Sequence, residues 1–288
     1  MPVNLCHAPY SVVAAGTTLS STRVNMPFSL LQTGSIVPGW VYSKSPYTIV
    51  RSAHKYATRR KAVRHAYYTG WEILRPSVVQ MAVVARQGLM QHNVQDKKKA
   101  YDGLGNLKCN DRGRALGIKT YTELVQRYAL QELLRLCLQY QKGGSVQDMV
   151  QSVTLALQQA ASSFDLGRVL PPSPVDWAPF PWDEDASQDS MYRQALCVSE
   201  FPMHNNIPPK VWIRQGLERL RQLETDFCQA VYTSKARDDS RGAATIPQYA
   251  AAHVAASDDP VIHRTRKELQ TLQEQVDKVL TQFPASAL

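Results

Sequence analysis

The side chains in this sequence best suited to chemistry are cations concentrated in one short stretch. The first 71 residues contain no Asp or Glu, and six Lys and Arg residues lie between positions 51 and 65. They are Arg51, Lys55, Arg59, Arg60, Lys61 and Arg64, and His65 adds a seventh cation when it is protonated. If the stretch is helical, a rotation of about 100° per residue places cations on every side of the cylinder. Such a helix repels itself unless a polyanion surrounds it, and arginine can donate two parallel hydrogen bonds to phosphate oxygens.

Aromatic residues are interspersed among these cations and follow them. They are Tyr56, Tyr67, Tyr68 and Trp71. Aromatic rings stack on exposed bases, so cations and rings together are typical of an RNA-binding helix. The alternative is a solvated basic surface whose aromatic rings point into a core. The sequence leaves both interpretations open.

Motifs for other kinds of chemistry do not occur in the sequence. The chain contains no P-loop, GxGxxG, HExxH or GxSxG motif. Its seven histidines share no metal-binding spacing, and its five cysteines include no CxxC pair. We therefore predict no catalytic residue, no metal site, no cofactor and no enzymatic activity. Scattered cysteines also favour a reducing compartment over a disulfide framework.

The composition predicts a folded chain that does not span a membrane. Hydrophobic residues make up 44% of the sequence, which is enough to form a core. No run approaches the roughly 18 apolar residues that a membrane helix needs.

Charge is distributed unevenly along the 288 residues. Residues 1–142 contain 20 basic and 6 acidic residues, a net charge of +14, whereas residues 143–288 contain 13 and 18, a net charge of −5. We expect the two halves to bind different partners. We divide the chain into an extended arm or targeting region over 1–46, a basic helical domain over 47–142 and a helical extension over 143–288.

The elements that must carry the basic residues are predicted to be helices. No proline occurs between positions 48 and 74, so we expect a helix from about Tyr47 to Leu74, ended by Pro76. Apolar residues at helical spacing predict another helix over 120–141, with Thr120 as its N-cap. Gly117 is expected to end a short helix before it. The predicted fold class is all-α.

The amino-terminal region has two interpretations. It is free of acids and rich in Ser and Thr, which is typical of organellar targeting peptides, yet Arg23 is its only cation before Lys44. Residues 34–47 contain two glycines and two prolines, which predict an extended arm.

Two segments contain a pattern found in a known family. The first is IVRSAHKYATRRKAV, in which the matching positions are Ile49, Val50, Arg51, Ala53, His54, Tyr56, Arg60 and Val63. The second is LGNLKCNDRGRALGIKTYTEL, in which they are Leu104, Asn110, Arg114, Gly117, Ile118 and, displaced by one position, Tyr121. Together they resemble the bacterial-type large-subunit ribosomal protein L-twenty family, and the resemblance covers about residues 47–141. Around positions 75–95, roughly fifteen extra residues separate the two segments.

This resemblance implies a structural role in the large subunit of a ribosome. A long helix would enter ribosomal RNA (rRNA), and a small helical domain would pack on the RNA surface and support subunit assembly. On the helix, the implied RNA contacts are Arg51, His54, Lys55, Tyr56, Arg59, Arg60, Lys61 and Arg64. In the globular part they are Asn110, Arg112 and Arg114. We add the cations His65, Lys97, Lys98 and Lys99 to the predicted RNA-binding set. Divergence and long additions favour a mitochondrial ribosome, and hence the matrix.

The acidic half is predicted to face proteins. We expect helices over 145–163, with Ser145 as N-cap, from Pro208-Pro209 to about residue 236, and after Asp259-Pro260, with a loop over 236–257. The segment VLPPSPVDWAPFPWDED is predicted to be an extended ribbon with an acidic end. It would lie on neighbouring ribosomal proteins or fold back on its own domain.

A different class of protein fits the same pattern. In an all-helical accessory subunit of another mitochondrial complex, the basic helix would meet acidic proteins or anionic lipid instead of RNA. Affinity for RNA separates the two hypotheses.

Overall fold

The computed structural model describes residues 3–59, 72–91, 104–141, 145–166, 186–202 and 207–283. Within these ranges the chain is mainly helical, with nine helices and one small three-stranded sheet. The prediction of a mainly helical fold is confirmed. The narrower class all-α does not describe the fold completely, because the chain also forms a small sheet that was not predicted.

The sheet lies near the amino terminus. Its strands are β1 (Val12–Val13), β2 (Leu30–Gln32) and β3 (Ser35–Val37), in the order β1-β2-β3. β2 pairs in parallel with β1 and antiparallel with β3, so that Leu31 lies opposite Ile36. Both of these side chains are fully buried. Burial of this pair gives the short strands their place in the core.

The expectation of an extended arm over 34–47 is wrong. Residues 35–37 form β3, and helix α1 (Trp40–Lys44) follows. Gly34 and Gly39 both have a φ of 69°, which glycine adopts at little cost. These glycines therefore make the turns on either side of β3 rather than keep the chain extended. The targeting role of the region stays a prediction.

The predicted helix from Tyr47 does not extend to Leu74. Helix α2 (Pro46–Arg59) is followed by residues 60–71, which lie outside the described ranges, and residues 72–75 are not helical. Pro76 instead begins helix α3 (Pro76–Gln91). A proline disfavours helical geometry in the residue before it and suits the first position of a new helix, which explains the break.

Helix α4 (Asp111–Tyr140) is longer than predicted and begins earlier. The Oδ1 atom of Asn110 accepts a hydrogen bond from the Gly113 N–H at 2.7 Å, so Asn110 is the N-cap and Thr120 is not. Gly117 lies inside the helix. A Cβ at this position would be 2.8 Å from Leu89 Cδ1 and 2.9 Å from Pro38 Cβ, so close packing explains the glycine better than a helix end does.

The described part of the carboxy-terminal half contains five helices. They are α5 (Val146–Ser163), α6 (Ala186–Glu200), α7 (Pro209–Thr245), α8 (Tyr249–Ala252) and α9 (Pro260–Leu280). The predicted starts of α5, α7 and α9 are confirmed, and Ser145 caps α5 through a capping box with Asp148. The predicted loop over 236–257 is wrong, because α7 continues to Thr245 and α8 follows. The proline-rich ribbon, residues 169–185, lies outside the described residues.

Contacts group the chain into two units. The first unit comprises Met1–Tyr121 and Asp226–Arg266, and the second comprises Thr122–Thr225 and Lys267–Leu288. The first unit has 22 basic and 9 acidic residues, a net charge of +13, whereas the second has 11 and 15, a net charge of −4. The charge asymmetry of the sequence is therefore also an asymmetry between the units. The division at positions 46 and 142 stays a prediction.

Candidate nucleic-acid interface

An apolar cluster holds helix α2 in the first unit. Its buried members are Tyr47 of α2, Val231 of α7, and Val261 and Ile262 of α9. Three partly buried side chains pack against them, namely Val50, Phe227 and Tyr232. Burial of one such side chain stabilises the fold by about 1.5–3 kcal/mol. One face of the first turns of α2 is therefore fixed in the core.

Hydrogen bonds of Tyr47 fix the start of α2 more narrowly. The Tyr47 N–H donates to Ser234 Oγ at 3.1 Å, and its hydroxyl donates to Asp259 Oδ2 at 2.7 Å. The other carboxylate oxygen of Asp259 accepts from the N–H groups of Val261 and Ile262, at 2.8 and 3.3 Å, and so caps α9. Burial and the Asp259 carboxylate raise the pKa of Tyr47 far above its ordinary value, so the hydroxyl stays protonated and donates. One carboxylate thus ties α2 to the start of α9.

A buried cation beside this network belongs to the core. Lys235 Nζ forms an ion pair with Asp239 and donates to the Val254 carbonyl at 2.6 Å. It also lies 5.8 Å from the centre of the Tyr47 ring. Since its charge is satisfied inside the fold, we do not count Lys235 in the interface.

The other face of α2 carries exposed cations. Arg51 and Lys55 are exposed, and neither forms an ion pair with a residue in the described part of the chain. His54 is partly buried. The first turns of α2 are thus amphipathic. The expectation of cations on every side depends on positions 59–65, whose side chains lie outside the described set, and stays a prediction. The apolar residues among the cations, such as Val50, turn one side of the helix towards the core.

Helix α9 adds cations that the sequence analysis did not assign to an RNA site. Arg264 Nη1 lies 3.1 Å from His54 Nδ1, and both Arg264 and Arg266 are exposed. The Arg266 guanidinium lies over the Tyr232 ring, 4.9 Å from its centre. The sequence contains a signal for this cluster. The basic segment HRTRK (263–267) lies in a stretch without Asp or Glu, between Asp259 and Glu268.

The predicted RNA contacts Asn110, Arg112 and Arg114 differ in how far their side chains take part in the fold. Asn110 is exposed but caps α4, as described above. Arg114 is partly buried, and its Nη1 donates to the Leu89 carbonyl near the end of α3 at 2.9 Å. Arg112 is exposed. Of the three, Arg112 is the one whose side chain is not used by a recorded contact within the described chain.

The side chains of the remaining predicted contacts lie outside the described set. Tyr56 and Arg59 lie in α2, but their side chains are outside the described set. Seven further residues lie outside the described ranges altogether, namely Arg60, Lys61, Arg64, His65, Lys97, Lys98 and Lys99. Their role in binding RNA stays a prediction.

Among the described residues of the second unit, the most enclosed carboxylate is a structural group. Glu132 of α4 is only 3% exposed. It accepts hydrogen bonds from Ser190 Oγ at 2.6 Å, from Gln194 Nε2 at 3.0 Å and from two nitrogens of Arg135 at 2.7 Å. Three of these bonds go to Oε1 and one to Oε2, and those from Ser190 and Gln194 link α4 to α6. It therefore has little capacity left to act on a substrate.

The described residues contain neither a metal-binding cluster nor a membrane-spanning helix. No three His, Cys, Asp or Glu side chains come together there in a way that could hold a metal ion. No helix in the described ranges has both the length and the apolar character that crossing a bilayer requires.

Comparisons with known proteins leave the resemblance as a hypothesis. Neither a family model, nor a curated protein, nor a solved structure matches this chain. The case for a function therefore depends on the residues and contacts described above.

Proposed function

We propose that this protein is a structural, rRNA-binding constituent of the large subunit of the mitochondrial ribosome, where it supports subunit assembly in the matrix. The observation that carries the proposal is the arrangement of the first turns of α2. Arg51 and Lys55 are exposed on a helix whose other face is anchored in the core.

An anchored basic helix suits the backbone of RNA. Each phosphate that a cation neutralises releases condensed counterions, which favours binding. Because Tyr47 already fixes α2, little conformational freedom is lost when RNA binds. Phosphate contacts position a protein on RNA without reading the base sequence, so specificity would come from the shape of the RNA.

The net charges of the two units favour a different kind of partner for each unit. A net charge of +13 attracts the first unit to a polyanion over distances of about 8–10 Å at physiological salt. A net charge of −4 makes the second unit a poorer ligand for RNA and a better one for basic ribosomal proteins. The resemblance over residues 47–141 points in the same direction.

Sedimentation of the native protein tests the proposal most directly. We expect it to sediment with the large mitochondrial ribosomal subunit in a sucrose gradient. The variant Arg51→Glu/Lys55→Glu should bind a labelled fragment of large-subunit rRNA at least about tenfold more weakly, with a shallower dependence on salt. The matched control is Arg241→Glu/Lys278→Glu, which changes two exposed cations on α7 and α9 by the same charge.

Two outcomes would contradict the proposal. One is migration of the native protein with a respiratory complex instead of the ribosomal subunit, which would favour an accessory subunit of that complex. The other is equal RNA affinity of the α2 variant and the control, because α2 would then not be the contact surface.

A further inference from the structure

The first turns of α9 alternate between the core and the surface. Val261, Ile262 and Thr265 are buried, whereas Arg264 and Arg266 are exposed. This part of the helix is therefore amphipathic in the same sense as the start of α2, with its exposed face basic.

The basic faces of α2 and α9 are held together by the same contacts. Val261 and Ile262 share the apolar cluster with Tyr47, and Asp259 joins the Tyr47 hydroxyl to the first N–H groups of α9. At the surface, Arg264 reaches His54 across 3.1 Å. Arg264 thus lies beside α2, although 210 positions separate it from His54, and Arg266 lies over Tyr232, which packs against the same apolar cluster.

Two of the acids near this surface are engaged inside the fold, whereas Glu268 is exposed on α9, one helical turn after Arg264. Asp259 is buried and bonded to Tyr47, and Asp239 forms an ion pair with the buried Lys235. The exposed Asp258 accepts a hydrogen bond from Ser257. Within the described chain, no ion pair joins Arg266 to any of these acids.

The surface fits the backbone of RNA better than a lipid membrane. Helices that lie on membranes insert large apolar side chains beside their cations. Among the described residues, the exposed large apolar side chains are Val12, Val13, Val84, Met90, Leu155, Met191, Ile246 and Val254, and none belongs to α2 or to positions 260–266. Stacking on Tyr232 also orders the Arg266 guanidinium, whose planar donors match phosphate oxygens.

We propose that Arg264 and Arg266 of α9 form, with Arg51 and Lys55 of α2, one composite surface that binds the sugar–phosphate backbone of RNA. This inference rests on the proposed function and extends it to the carboxy-terminal half, for which the sequence predicted protein partners alone. In this arrangement α9 contacts a stretch of backbone next to the one that α2 contacts.

Binding of the full-length protein to a labelled double-helical RNA hairpin tests the composite surface. The α9 variant is Arg264→Gln/Arg266→Gln, the α2 variant is Arg51→Gln/Lys55→Gln, and the control is Arg241→Gln/Lys278→Gln. We expect the α2 and α9 variants each to bind the RNA at least about tenfold more weakly than the native protein. In each variant the slope of log affinity against log salt concentration should also become shallower by about 1.5. The control should change the affinity and the slope less.

Two further measurements distinguish an effect of lost charge from an effect of lost folding. The variant Arg264→Lys/Arg266→Lys keeps both charges and should retain most of the salt slope. Thermal unfolding of every variant should be cooperative and close to that of the native protein, because the altered side chains are exposed. An α9 variant that folds like the native protein yet binds like the control would overturn the inference.

The outcomes distinguish this inference from the proposed function. If the native protein shows no salt-dependent binding to the hairpin or to rRNA fragments, the proposed function fails and the inference fails with it. If only the α2 variant loses affinity, the function stands and the composite surface is wrong. If the α9 variant loses binding to phosphatidylserine vesicles but keeps its RNA affinity, the surface binds lipid and the inference is overturned.

Discussion

At the scale of single residues, Tyr47 does most to connect the candidate interface to the core. Its backbone and hydroxyl bind Ser234 and Asp259, and its ring packs on Val231 and Ile262. No other residue of α2 makes a recorded hydrogen bond to both α7 and the start of α9 within the described chain. The position of Arg51 and Lys55 therefore depends on Tyr47.

Tyr47→Phe should lower the free energy of unfolding by about 1–3 kcal/mol. The change leaves the ring in place but removes the donor to the buried Asp259 Oδ2, whose desolvation is then less well compensated. Urea denaturation measures the effect. Tyr232→Phe is the matched control and should change stability by less than about 0.5 kcal/mol, since the recorded contact of Tyr232 is through its ring. Equal losses in the two variants would contradict this account.

The thiols differ in their burial, which predicts an order of reactivity. Burial raises the pKa of Cys109 to about 11, partly offset by Arg114, and raises the pKa of Cys137 to about 12. A raised pKa means less thiolate at neutral pH, and the thiolate is the reactive form. We expect a maleimide to label the exposed Cys6 first, Cys109 more slowly and the buried Cys137 more slowly still.

The pH dependence of labelling tests this explanation. Between about pH 7 and pH 10, the labelling rate of Cys109 should rise about tenfold per pH unit, because its thiolate fraction is still far from saturated. Mass spectrometry of labelled peptides follows each cysteine separately. A rate for Cys109 that levels off near about pH 8.5, as for an ordinary thiol, would show that burial does not control it.

At the scale of elements, the long helix α4 is placed by close packing. Gly117 lies where a Cβ would come within 3 Å of both Leu89 and Pro38. Leu89 is itself fully buried and cannot move aside easily. The glycine therefore permits α4 to approach α3 and the chain before α1.

Gly117→Ala should lower the free energy of unfolding by about 1–3 kcal/mol, because the added methyl group overpacks this contact. Gly88→Ala, in α3, is the control. A Cβ at Gly88 has no neighbour within 4 Å, so the substitution should stabilise the protein by roughly 0.5–1 kcal/mol through better helix propensity. Thermal or urea unfolding shows whether each substitution raises or lowers the free energy of unfolding. If Gly117→Ala were stabilising, the packing explanation for this glycine would be wrong.

At the scale of the whole molecule, the first unit is assembled from distant parts of the chain. Its segments are Met1–Tyr121 and Asp226–Arg266. The second segment supplies Val231, Val261 and Ile262 to the cluster that covers Tyr47. The basic amino-terminal segment therefore needs the carboxy-terminal half to complete its core.

A chain ending at Thr225 should leave that core incomplete. We expect it to bind an apolar fluorescent dye and to lose cooperative thermal unfolding, because Tyr47 and Val50 would be uncovered. A chain ending at Phe283, which retains all the cluster residues, should behave like the full-length protein. Cooperative unfolding of the shorter chain without dye binding would contradict the assignment of residues 226–266 to the first unit.

Much of the secondary structure could be predicted because its signals are local. Ser145 caps α5, and the starts of α7 and α9 follow from prolines and an Asp cap, all within a few residues of the helix they begin. The charge asymmetry is also readable from composition. The failures occurred where a glycine has more than one possible role. Gly34 and Gly39 suggested an arm but make turns of positive φ, and Gly117 suggested a helix end but packs against Leu89 and Pro38.

The sequence by itself determined where the charge lies, that the fold is mainly helical, and that Arg51 and Lys55 belong to a helix. Tertiary structure alone decided which side of α2 faces the core and which cations lie beside it. The reason is physical: Tyr47 meets Ser234 and Asp259 across 187 and 212 positions, and His54 meets Arg264 across 210. Periodicity within one helix describes that helix alone, so it cannot reveal which distant helix will bury its apolar side.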